Sequence, residues 1–293
     1  TLGQQGRFVL VGEFRQTMDM EPGPDVALLT NGGGQDAFTA LFNKPDCSGV
    51  FVDVQAILSG PYEPGGFTYM RDDLRTAALI PLQEPYTAMG FQLDEPANTT
   101  PQVLAWTLGA AIVDWVLVEL RADLDPTEVV GRKAGLIRRD GHVVAVDGVS
   151  PIGFCVGNGN YHVVVRHRNH LCAMTAEAVS LTAVPTTIDF TDMATGTYGT
   201  DARMDLGNGL LALWKGNVVA DGIVRYAGSD NDRDPILARI GGIVPTATVT
   251  GYFPEDLDLD GVVRYAGASN DRDLIIQVIG GGVPTATRVE QLP

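Results

Sequence analysis

Asp256-Leu-Asp258-Leu-Asp260-Gly261 sets carboxylates at alternate positions and ends on a glycine. On a tightly wound turn those alternate residues point inward together, and the glycine allows the sharp bend that follows, which is the geometry of a calcium loop. Val262 offers a backbone carbonyl at the seventh position. Such a loop usually closes on a bidentate acid at its twelfth position, which here is Gly267. The acids come later, at Asp271 and Asp273. The stretch therefore reads as an elongated calcium loop whose distal ligand is Asp271 or Asp273, with Asn270 a further candidate. The competing expectation is that these acids are solvated turn residues and helix caps.

The same chemistry occurs earlier in weaker form. Asp221-Gly-Ile-Val-Arg-Tyr-Ala-Gly-Ser-Asp-Asn-Asp-Arg-Asp234 returns as Asp260-Gly-Val-Val-Arg-Tyr-Ala-Gly-Ala-Ser-Asn-Asp-Arg-Asp273, 39 positions on. The first copy opens on Asn217-Val-Val219-Ala-Asp221, so its third position carries no oxygen. Asn217, Asp221, Asp230, Asp232 and Asp234, with the carbonyl of Ile223, remain able to assemble a site. Each loop runs into a helix signature. Asp234 can cap, Pro235 can take the first helical position and Gly241-Gly242 can close the first helix; Asn270 or Asp271 can start the second and Gly280 can stop it.

These repeats resemble the dockerin-type calcium repeats at the ends of secreted bacterial proteins. The variant Tyr-x-Gly-x-x-Asn-Asp-Arg-Asp is similar to one in surface and hemagglutinin-like proteins of Bacteroidetes. Asp114-Trp-Val-Leu-Val-Glu-Leu-Arg121 and Val163-Val-Val-Arg-His-Arg-Asn-His-Leu171 resemble the core of the same proteins, so the likeness covers roughly residues 48–293. It implies a secreted, calcium-binding β-protein. Copy one departs from the pattern at Val219.

Other candidate chemistry is thin. His162, His167 and His170 raise zinc, but residues 162 and 167 have opposite parity on a strand, as do 167 and 170 while the strand continues. Hydrogen-bonded histidines at a strand end are the expectation, with Arg166, Arg168 and Asn169 paired to acids. No Gly-x-Ser-x-Gly and no phosphate loop occurs. Trp106, Trp115 and Trp214 could form a sugar platform, although Trp115, inside Val-Asp-Trp-Val-Leu-Val, reads as core. No paired carboxylates outside the repeats demand acid–base work, so no enzyme is expected.

The formal charge of −16 argues against nucleic acid, whose phosphates need a basic face. It suits a protein bathed in millimolar calcium. Asp114 and Glu119 interrupt the apolar run 103–120, which excludes a membrane span there. Cys47, Cys155 and Cys172 are too few for a disulfide scaffold; Cys155 and Cys172 could face each other across a hairpin or lie on neighbouring strands, leaving Cys47 odd. The chain begins at Thr1, which fits a removed leader or an expression product.

The elements that must position the loops are mainly β, because Val, Thr, Tyr and Gly-rich turns dominate. A sandwich or jelly-roll-like domain is expected over 48–209, followed by a tandem dockerin-like unit of calcium loops and short helices over 210–293. Residues 1–47 read as one strand, Arg7–Phe14, on a loose tether. It is either the first strand of the chain's own sheet or a strand exchanged with a neighbouring subunit. Strands are expected at 49–58, 111–121, 171–174, 178–181 and 210–214. Hairpins are expected at 129–139 with 142–146 across Asp140-Gly141, and at 152–156 with 161–166 across 157–160. A short helix is expected within 70–78, irregular chain over 81–101 and an ordered loop over 187–209.

The function expected is a secreted, calcium-stabilised structural protein that builds an extracellular fibre or surface matrix as a homo-polymer, by strand addition. The alternatives are a calcium-dependent adhesin or carbohydrate-binding module, with glycans or a cell surface as partner, and, behind it, a metal-dependent hydrolase using the histidines.

Overall fold

The computed structural model describes residues 2–3, 7–15, 17–19, 28–30, 32–33, 36–43, 49–65, 69–207 and 209–293. The chain divides into two compact units, Thr1–Ser48 and Gly49–Pro293. Cys47 lies outside the described residues.

In the first unit, β1 (Leu2–Gly3), β2 (Arg7–Phe14) and β5 (Asp36–Asn43) form one antiparallel sheet in that order. β3 (Thr17–Asp19) and β4 (Leu28–Thr30) form a separate pair. β2 has the expected bounds. Its partner was not expected: β5 lies in what reads as tether, and it pairs residue for residue from Arg7↔Asn43 to Phe14↔Asp36. The alanines and terminal Asn of Asp36–Asn43 lower its strand propensity and hide it in the sequence.

The second unit is mainly β around a nine-stranded sheet. β6 (Val50–Gln55) alternates as a half-covered strand should, with Val50, Val52 and Val54 fully buried. After it come α1 (Asp73–Thr76) and α2 (Pro101–Leu104), the latter capped by the Thr100 hydroxyl accepting from Val103 N–H. β7 (Ile112–Ala122) is buried on both faces over Ile112–Arg121. It pairs with β8 (Val129–Arg138), which turns at Asp140-Gly141, with Gly141 at φ 87°, into β9 (His142–Val144).

β10 (Ile152–Phe154) corrects the expected second hairpin. It pairs with β6, as Ile152↔Val52, while β11 (Gly159–His167) pairs with β7. The four-residue Gly-Asn segment is a crossing between strands, and turn composition alone does not say which strands flank it. β12 (His170–Met174) and β13 (Val179–Leu181) both pair with β11. The expected loop 187–209 is also corrected. β14 (Thr186–Asp189) runs parallel to β6, and β15 (Arg203–Gly207) pairs with β16 (Leu210–Leu213). With Phe51 N–H bonded to Thr182 O at 3.0 Å, β13 and β14 carry the chain from β11 back to β6, so the sheet curls round on itself.

Cys172 is a buried free thiol packed with Val164 and Met174, whereas Cys155 is disulfide-bonded, so these two do not bond each other. Among the described residues no helix is long and apolar enough to cross a membrane.

The repeats supply β17 (Ile223–Arg225), α3 (Arg233–Arg239), β18 (Thr248–Thr250), β19 (Val262–Arg264), α4 (Asp271–Val278) and β20 (Thr287–Val289). Their pairing is reciprocal. β18, the closing strand of the first repeat, pairs with β19, the opening strand of the second; β20, which closes the second, pairs back with β17. Val218, Val224, Ile236 and Ile240 share one apolar core with their counterparts Leu257, Val263, Ile275 and Ile279. Neither repeat buries its helix without the other.

Candidate functional site: the acidic loop of the second repeat

Each repeat builds the same scaffold. Asn270 Oδ1 accepts from Asp273 N–H at 2.9 Å, and Asn270 Nδ2 donates to Gly267 O and to Asp273 Oδ2. Asn231, Asp234 and Gly228 repeat these bonds. Asn270 is therefore the cap of the second helix; in the first, Asn231 makes the same bonds one residue before the Asp232 cap position, and Pro235 falls in the third helical position rather than the first. Asp271 accepts from Leu257 N–H at 2.7 Å and Arg264 N–H at 2.8 Å, while Asp232 accepts from Val219 and Arg225 N–H. These two acids are fully buried and tie each loop to its helix. Asp273 and Asp234 pair with the arginine beside them, and both carboxyls sit below their usual range, chiefly through the Asn bond. Glycines at φ 100° and 102°, Gly241 and Gly280, end the helices as expected.

The loops differ at the residues that could hold an ion. In the second, one carboxylate oxygen each from Asp256, Asp258 and Asp260 lies within 4.8 Å of the other two. The backbone wraps around them: Asp256 accepts from Asp260 N–H and from Gly261 N–H at 2.8 Å, Asp258 from Asp260 N–H, and Asp260 from Val262 N–H. Arg264 pairs with Asp260 and also donates to the Val262 carbonyl, the expected seventh-position oxygen. In the first loop Asn217 accepts from Gly222 N–H, Asp221 pairs with Arg225, Asp230 lies in an exposed turn, and Val219 is exposed. Ile223 starts β17, its N–H bonded to Asp221.

Three carboxylates at this spacing repel one another by a few kcal/mol per charged pair in a partly buried setting. The protonation equilibria carry that strain. Burial, with the Asp271 and Asp258 charges added, pushes Asp256 up to about 8. Burial also lifts Asp271 to about 7 and raises Asp258, whose second cause is Asp260. In the first repeat burial alone takes the lead in lifting Asp232 to about 6.

The acidic loop is also docked, through its main chain, onto the sheet. Asn169, in the two-residue turn between β11 and β12, donates to Pro254 O at 2.9 Å and to Asp256 O at 2.7 Å, and its own carbonyl accepts from Gly216 and Asn217 N–H. One asparagine thus holds the openings of both repeats. Arg168 donates to Phe253 O and lies 4.3 Å over the Tyr252 ring; Arg71 donates to Asp258 O at 2.9 Å. At Gly60 a Cβ would be driven into the Leu257 carbonyl, so only glycine admits this approach.

Behind the turn, Asp114 accepts from Trp115 N–H, His167 Nε2, Arg168 Nε and, at 2.6 Å, Tyr252 OH. Burial opposes its ionisation, but Arg168 and these donors hold its carboxyl below the usual range. Glu119 is held down likewise, against burial, by Arg166, Arg132 and Arg121.

His167 and His170 are hydrogen-bonded at a strand end, as expected. β11 ends at His167 and β12 starts at His170, so the two face each other as a cross-strand pair, and the parity argument does not apply across a turn. His162 is buried against Thr175 O. Trp115 is core; Trp214 lies beneath Arg288, 3.4 Å from its ring centre, so neither offers an open face. Arg166 and Arg168 pair with acids as expected, whereas Asn169 bonds main-chain carbonyls instead of carboxylates. Gly60, Arg71 and Tyr252 escape sequence reasoning, because nothing local to them marks a docking role. No protein-family model, curated protein or solved structure matches this chain.

Proposed function

We propose that the chain is a calcium-stabilised structural β-protein whose carboxy-terminal repeat pair is fixed to the sheet by one divalent ion in the second loop. The observation that carries this reading is the convergence of Asp256, Asp258 and Asp260 in a loop whose backbone is already wound and docked. Calcium fits the chemistry, being a hard cation that takes oxygen ligands in flexible geometry. The three aspartates are the core ligands, with Val262 O beside them. Asp271 sets the loop from behind, while Asn270 and Asp273 serve the helix cap. The first loop, with Val219 at its third position, is a scaffold copy that binds far more weakly.

The role is architectural and extracellular, where millimolar calcium keeps such a site filled. Assembly into a homo-polymer proceeds by strand addition at the amino-terminal sheet. β5 is the last strand of that sheet and has one strand partner, β2, among the described residues. The eight residues of β5 can take a ladder of main-chain bonds from the Arg7–Phe14 strand of a second copy.

Isothermal titration of metal-stripped protein tests the first part: one strong calcium event per chain, absent in Asp256→Asn/Asp258→Asn, is expected. Heat from calcium that survives in that variant removes the second loop from the site. Electron microscopy of the full chain, with and without residues 1–15, tests assembly. Polymers that persist after the deletion refute the strand-addition route while leaving the ion site standing.

A further inference from the structure

The turn that holds both repeats contains a proton network that the ion site does not use. Gly60 N–H points at His170 Nε2, 3.2 Å away, so that nitrogen carries a lone pair and the ring proton sits on Nδ1. His170 Nδ1 therefore donates, to His167 Nδ1 at 3.0 Å and Asn169 Oδ1 at 2.9 Å. His167 Nδ1 must accept, which puts its proton on Nε2, facing Asp114 Oδ2 at 3.0 Å. Every ring nitrogen is committed, and both rings are neutral. A further proton on His167 sets N–H against N–H across the pair; one on His170 sets N–H against the Gly60 amide.

We propose that the His167–His170 pair is an acid-operated latch: proton uptake by either ring parts the Arg168–Asn169 turn from the 252–258 segment and from the start of the first repeat.

The surroundings favour opening over accommodation. Among the described residues Asp114 is the one carboxylate bonded to the pair, and Arg168, Tyr252 and the Trp115 amide already occupy it. Lys215 and Arg168 add positive charge close to His170. A cavity of about 160 Å³ is lined by both histidines together with Arg166, Tyr86, Asp221 and Glu290. Arg166 is itself paired to Glu119 and Glu290, so it does not move to take up the slack. Burial lowers the proton affinity of both rings, His170 the more. The sign follows. A histidine held neutral in the folded state contributes stability that is complete above its unfolded value of about 6.5 and is lost as pH falls below it.

Hydrogen-exchange mass spectrometry on the full chain, at about pH 7.5 and about pH 5, tests the latch. Protection is corrected for intrinsic exchange rates and measured both in saturating calcium and in chelator. The expected result is a loss of at least about tenfold in protection at 57–60, 167–171 and 252–258 at the lower pH, in both media, with β8 unchanged. His167→Gln/His170→Gln should remove the loss. Where that variant fails to fold, histidine C2–H exchange on the native chain gives the second readout: both rings should titrate below about 6.5. Undiminished protection at pH 5, a loss seen in chelator alone, or rings that take up protons at the ordinary value while the segments stay closed overturns the proposal.

Discussion

Asp256 and Asp258 stand where the first copy of the loop has Asn217 and Val219, and the loss of those two carboxylates sets what each loop can do. The aspartate triad was legible, since three acids at alternate positions before a glycine have one well-known use. Asn270 read both as a ligand candidate and as a helix start, and it caps the helix; that Asp273 bonds this cap did not show in the loop pattern. Two predictions belong here. Asp258→Asn should weaken calcium binding by at least about tenfold, by titration calorimetry, because affinity in such loops follows ligand charge. In chelator, the raised values of Asp256, about 8, and Asp271, about 7, mean that the folded state holds more protons than the unfolded state between those values and about 4. Stability should therefore fall as pH rises from about 4 to about 8, on the order of 1 kcal/mol per pH unit for each group that stays protonated only in the folded state. Calcium, which needs the carboxylates ionised, should flatten that slope in thermal unfolding.

At the scale of elements, the strands that show cleanly in the sequence are those with a local cause. β2 is a dense run of β-formers, β8 and β9 flank Asp140-Gly141, and β7 is apolar enough to be covered on both faces. β10 shows as a strand but not with its partner, and β14 does not show at all, because what stabilises both is β6, a strand more than 90 residues away. Docking of the repeats is equally non-local: the Arg168–Asn169 turn meets carbonyls some 85 positions later. Asn169→Ala leaves the buried carbonyls of Pro254 and Asp256 without their donor and should destabilise by about 2–3 kcal/mol in denaturant unfolding. Gly60→Ala should loosen the same contact, read as faster amide exchange at 252–258 with β8 unaffected.

For the whole molecule, Val, Thr, Tyr and Gly-rich composition was enough to expect a mainly β fold, but not to say how the two repeats meet. That meeting is a closed exchange, β17 with β20 and β18 with β19. Each closing strand finds its mate in the other copy, so two copies satisfy each other and leave no vacancy for a third. A duplication that inserted one more 39-residue segment would strand an unmatched ribbon at the tail, whereas a duplication of both would not. The tail is therefore constrained to lengthen by twos, and a lineage that gained a single copy would carry a sticky, half-built end.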